Sequence, residues 1–159
     1  MVAVAPPPDF QPTDADLTEL PSRTRTVIAR LSRRLRQTRA GADLTTSQYQ
    51  VLATTVRHGP VRLTHLATLE GLNPTMLSRI VGKLEADGLV GRTPSPDDGR
   101  VAVLTPTRKG RDLVARVRRE RTDALSLVID GLDEDQRRAL MEALPVLESM
   151  AEALKDRPR

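Results

Sequence analysis

The chain has 159 residues, 38% of them hydrophobic and 29% charged, with a formal net charge of +4 at pH 7. That length has room for one domain with a real core plus short appended arms. The absence of cysteine excludes disulfides, thiolate metal sites and thiol redox switches within the chain. Phe10 and Tyr49 are the only aromatic residues, so the core must be aliphatic, and single-strand binding on stacked aromatic platforms is disfavoured. No apolar run approaches the roughly 18 residues of a membrane span, and Met1 to Pro6 lacks the basic flank of a signal peptide. A cytoplasmic location is therefore expected.

Charge is distributed unevenly. Between Pro21 and Ala42 lie Arg23, Arg25, Arg30, Arg33, Arg34, Arg36 and Arg39 with no acid among them, whereas acids outnumber bases from Asp123 to Asp156. A basic front and an acidic back fit a molecule that meets a polyanion with one side. Charge alone leaves a solvated arginine-rich helix face as an equal alternative.

In chain order, residues 1–15 carry four prolines and little apolar content, and are expected to form a disordered tail. From Leu17 the spacing of Val27, Ile28, Leu31 and Leu35 predicts a helix that Gly41 ends. Thr45 with Gln48 forms the pattern of a capping box opening a second helix, which His58-Gly59-Pro60 stops. Two shorter helices are predicted from Leu63 to Glu70 and from Pro74 to Asp87. Leu89 to Thr93 and Val101 to Leu104 are β-prone runs around an Asp98-Gly99 turn, which predicts a hairpin. Thr105 and Pro106 read as N-cap and first residue of a long helix. A last helix opens at Asp133 with Gln136 as capping partner, and Leu140, Leu144, Leu147, Ala151 and Leu154 form its seam. Pro145 inside that seam is expected to kink or break it.

The segment from Leu63 to Leu84 has the most informative spacing. Leu63, Leu66 and Ala67 face inward on one helix, Gly71 permits a sharp and left-handed turn, and Asn73-Pro74 caps and starts the next helix. Leu77, Ile80, Val81 and Leu84 then make one stripe at i, i+3, i+4 and i+7. This is the layout of a helix-turn-helix. With the stripe inward, Thr75, Ser78, Arg79, Gly82 and Lys83 face out. Thr and Ser can bond base edges or phosphates, Arg can fork onto guanine O6 and N7, and Lys83 would sit nearer the backbone. At the hairpin tip, Asp98 can aim Arg100 by a charge-assisted contact toward a narrow minor groove.

The run Leu66-Ala67, Pro74 to Arg79, Leu84-Glu85-Ala86-Asp87-Gly88-Leu89-Val90-Gly91-Arg92, Asp98-Gly99-Arg100 and Leu104-Thr105-Pro106-Thr107-Arg108-Lys109-Gly110 resembles the MarR family of bacterial regulators, and the resemblance covers about residues 17 to 155. It implies a mainly α fold with a small β-hairpin wing: a winged helix-turn-helix lobe at 45–107, with dimerisation helices at 16–42 and 108–155 completing one domain over 16–159. By motif, Thr75, Ser78 and Arg79 would read the groove, Lys83 would support from the backbone, and Arg100, oriented by Asp98, would serve as the wing arginine. Gly99 stands where many members carry a second arginine, which implies fewer phosphate contacts from the wing. The implied partners are double-stranded DNA with a pseudo-palindromic operator, a second copy of the chain, and a small aromatic or anionic effector. No cofactor is expected.

Enzyme function finds no support: there is no phosphate-binding Gly-Lys-Ser/Thr loop, no nucleophile with a histidine partner and no metal-spaced cluster. A winged-helix protein-interaction module without specific DNA binding is the alternative reading.

Overall fold

The computed structural model describes residues 13–36, 39–94 and 102–155. The element order is α1 (Asp14–Arg36), α2 (Thr46–His58), β1 (Val61–Arg62), α3 (Leu63–Glu70), α4 (Pro74–Ala86), β2 (Val90–Pro94), β3 (Ala102–Pro106), α5 (Arg108–Asp130) and α6 (Glu134–Lys155). Two compact units divide the chain: Ala29–Asp123 forms one, and the described residues up to Ile28 together with those from Ala124 onward form the other.

The middle unit holds the buried core. Val51 and Leu52 from α2, Leu66 from α3, Leu77, Ile80, Val81 and Leu84 from α4, and Val114 from α5 close around Val61, Leu89, Val90 and Leu104. Each such aliphatic side chain contributes about 1.5–3 kcal/mol by leaving water. The three strands form an antiparallel sheet in the order β1-β3-β2, with Val61 opposite Leu104 and Arg92 opposite Leu104 on the other side. The third strand was not foreseen: β1 is two residues long, too short for an alternating pattern to register.

Several expected punctuation marks are present. Thr45 and Gln48 exchange both capping-box hydrogen bonds at the start of α2. Asp133 and Gln136 do the same at α6. Gly71 sits at φ 62 and ψ 33, the left-handed turn between α3 and α4.

Other boundaries differ from expectation. α1 begins at Asp14, inside the segment expected as a tail, because Thr13 and Asp16 bond each other reciprocally across the first turn. β3 runs through Thr105 and Pro106, whose Cα partners are Gly91 and Val90, so neither residue starts the long helix. Thr107 takes that role, its hydroxyl accepting from Gly110 N at 3.1 Å and its carbonyl from Arg111 N at 3.0 Å. α6 continues unbroken past Pro145, as α1 does past Pro21; each loses one backbone donor without ending.

The other unit is built differently. No described side chain of α1 or α6 is buried. Leu17, Leu20, Val27 and Ile28 of its first segment are about half exposed, as are Leu144 and Val146 of α6. Among the described residues no helix is long and apolar enough to cross a membrane.

Candidate nucleic-acid interface

α4 owes its start to Asn73, whose Oδ1 accepts a 2.8 Å hydrogen bond from Met76 N, and to Pro74, which needs no amide partner at the first helical position. Its stripe Leu77, Ile80, Val81 and Leu84 is buried against α2 and α3. That orientation leaves Thr75, Ser78, Arg79, Gly82 and Lys83 all exposed along the opposite edge. The predicted division of the helix into a hidden aliphatic side and a free polar side is therefore what the fold contains. A Cβ built on Gly82 meets nothing within 4 Å, so the glycine opens this edge rather than serving packing inside the chain.

Two residues of the same surface escaped the sequence reading. Met76 is 44% exposed beside Thr75 and offers an apolar contact of the kind that suits a thymine methyl. Its position, one residue before the buried stripe begins, could have flagged it. Arg92 on β2 pairs with Glu85 on α4 at 3.0 Å and ties the root of the hairpin to the helix. Lys83 also has an internal partner, Asp87 at 2.8 Å one turn on. Such an exposed pair contributes under about 1 kcal/mol, so Lys83 can exchange Asp87 for another anion at little cost. Asp98 and Arg100 lie outside the described residues.

A separate cavity of about 240 Å³ opens among Ser32, Leu35 and Arg36 of α1, Thr46 and Tyr49 of α2, and Arg121 of α5. The Arg121 guanidinium lies 4.4 Å from the centre of the Tyr49 ring, within cation–π range. Its Nε is buried and has no hydrogen-bond acceptor among the described residues. A guanidinium with an open donor beside an aromatic ring suits an anionic or aromatic guest. Tyr49 thus lines a cavity, while His58 sits exposed at the far end of α2.

Comparison with known proteins agrees with this geometry. The MarR family model matches residues 44–102, which span α2 to the start of β3. The HTH-type transcriptional regulator MT0903.1 of Mycobacterium tuberculosis is 30% identical over 120 residues, covering 76% of this chain and 84% of that protein. The chain belongs to the MarR family of transcriptional regulators. The fold agrees: the crystal structure of RV1404 from M. tuberculosis superposes with a TM-score of 0.71 at 26% identity, covering 91% of this chain and 97% of its own. Streptococcus pneumoniae FabT, solved in complex with DNA, shares the fold at TM-score 0.61 and 22% identity, with 86% of this chain and 95% of that chain covered. This MarR-family regulator therefore has a winged helix-turn-helix in which α3 and α4 are the paired helices and β2 and β3 form the wing.

Proposed function

We propose that the chain is a homodimeric, sequence-specific repressor of its own or neighbouring genes, acting in the cytoplasm and released from DNA by a small anionic or aromatic ligand. The observation that carries this reading is the free edge of α4, where Thr75, Ser78 and Arg79 project beside Lys83 with no packing role. Arg79 would read guanine in the major groove, Thr75 and Ser78 would bond base edges or phosphates, and Lys83 would leave Asp87 for the backbone. Arg100, aimed by Asp98, would reach the adjacent minor groove.

Dimerisation is supported by apolar surface that one copy leaves wet. Val27, Ile28 and Leu31 of α1, Leu127 and Val128 of α5, and Leu144, Leu147 and Leu154 of α6 are all exposed. Surface of that kind, concentrated on the terminal helices, fits an interface. A two-fold dimer carries two copies of α4, so the operator is a pseudo-palindrome with half-site centres about 10–10.5 bp apart.

Release is assigned to the cavity at Tyr49 and Arg121. Its volume lies below the roughly 300 Å³ at which pockets for drug-sized ligands begin, so it suits a single-ring carboxylate or phenol. A guest that fits better in a dimer with mis-spaced α4 helices shifts the population away from DNA.

Gel shift against the DNA upstream of the protein's own coding sequence tests the reading. A shift that resists excess random DNA and weakens steeply with salt supports it. A shift of all DNA alike, or none, would favour a non-specific binder or a protein-interaction module instead.

A further inference from the structure

We infer that Lys109, at the start of α5, is a positioning residue for DNA reading: it holds the C-terminal end of α4 in place without touching DNA. The last carbonyls of any helix lack intrahelical donors and carry the negative end of its dipole. At the end of α4 the chain satisfies the first of these itself. Asp87 N donates to Lys83 O, Gly88 N to Glu85 O and Leu89 N to Leu84 O, all near 3.0 Å.

The carbonyls of Asp87, Gly88 and Leu89, just past the last helical residue, are taken by α5 and the residue before it. Lys109 Nζ donates to Asp87 O at 2.7 Å. Thr107 Oγ1 donates to Gly88 O at 2.7 Å and approaches Leu89 O at 3.1 Å, while Thr107 N donates to Leu89 O at 3.0 Å. Gly110, one turn into α5, presses its backbone on the Leu89 carbonyl. On the other flank Arg92 of β2 holds Glu85. The end of α4 is thus clasped by groups on two neighbouring elements, and Lys109 supplies the single full positive charge placed on its terminal carbonyls among the described residues.

Base-edge hydrogen bonds tolerate only about 0.5 Å and 10–20° of misplacement. A helix whose end is free to tilt would keep its phosphate contacts, which are forgiving, and lose its base contacts, which are not. Lys109 therefore acts on sequence preference. A lysine that met phosphate directly would instead add affinity for every sequence and steepen the salt dependence.

This inference rests on the proposed binding of duplex DNA by α4, and the test separates the two. Lys109→Met keeps the aliphatic stem and removes the charge; Lys109→Arg restores a donor. In the free protein, amide hydrogen exchange at Gly88 and Leu89 should speed several-fold in Lys109→Met, with the α2 amides unchanged and Lys109→Arg partly recovering. Operator affinity should fall about tenfold while affinity for random DNA and the salt slope stay at wild-type values. Unchanged exchange at Gly88 and Leu89 would overturn the inference, as would equal losses on operator and random DNA with the salt slope shallower by about 1. If the wild-type protein selects no DNA sequence, the reading of α4 fails, and the exchange experiment still decides whether Lys109 holds the helix end.

Discussion

Gly110 on α5 lies so close to the carbonyl oxygen of Leu89 that any Cβ at this position would overlap it, with Leu52 Cδ1 at 3.2 Å behind. Gly110→Ala should therefore force α5 away from the turn after α4 and cost about 1–3 kcal/mol, as overpacking does. Gly82→Ala is the contrasting case. Its Cβ meets open space, so the folded chain should gain up to about 1 kcal/mol of helix propensity. Operator affinity should nevertheless fall if that edge of α4 seats closely on the bases. Urea denaturation and gel shift on the two variants check both halves.

Arg79→Ala should lose about 1–3 kcal/mol on the operator and relax its sequence preference, because a forked contact to guanine carries sequence information. Lys83→Ala should weaken all sequences alike and reduce the salt slope by about 1. The competing Lys83–Asp87 pair is exposed, so its loss should leave thermal stability almost unchanged. Titrations on operator and random duplexes across a salt series distinguish the two roles. Equal behaviour of both variants would contradict the assignment.

Leu147→Glu should turn a dimer into a monomer in sedimentation experiments. Leu147 is 39% exposed in the single chain and lies on the α6 seam with Leu140, Leu144 and Leu154, so a charge there would be buried unpaired in any interface built on that seam. The middle unit has its own core and should keep its helical signal.

Arg121→Met should abolish thermal stabilisation by benzoate-type ligands while leaving operator binding in their absence intact. The substitution removes the guanidinium from the Tyr49 ring but retains a linear apolar side chain. A cavity that still binds such ligands after this change would place the anion partner elsewhere, with Arg36 the next candidate.

Asp16 links the start of α1 to pH. The Thr13 hydroxyl, then the Thr13 amide, hold its carboxyl below the usual 3.8. The depressed value means that the cap's contribution is fully present above the unfolded carboxylate range and is lost as pH falls through the lower folded value. Amide protection in the first turn of α1, measured against the intrinsic exchange rate at each pH, should fall in acid, and Asp16→Asn should show that lower protection already at pH 7.

How far the fold was legible varies by element, for physical reasons. The stripe Leu77, Ile80, Val81 and Leu84 identified α4 and its free edge because four buried positions at helical spacing admit one orientation. The capping boxes at Thr45 and Asp133 set helix starts because each has a reciprocal partner three residues on. The start of α5 was misread because Thr105-Pro106-Thr107 offers two threonines, and only tertiary pairing of β3 with Val90 and Gly91 decides between them. A proline inside a seam reads as a kink or a break, and of the two the break does not occur: α6 runs across Pro145. Cross-chain features such as the Lys109 contact to Asp87 and the Glu85–Arg92 pair have no periodic signature at all. The wing residues Asp98 and Arg100 remain proposals from motif.

The most direct test of the central claim is methylation protection of guanine N7 in the operator by the wild-type and Arg79→Ala proteins. If α4 enters the major groove, the wild type protects guanines in two clusters centred about 10–10.5 bp apart, and Arg79→Ala exposes a guanine in each cluster while the rest stays covered. Protection patterns identical for the two proteins, or confined to one asymmetric cluster, would contradict it.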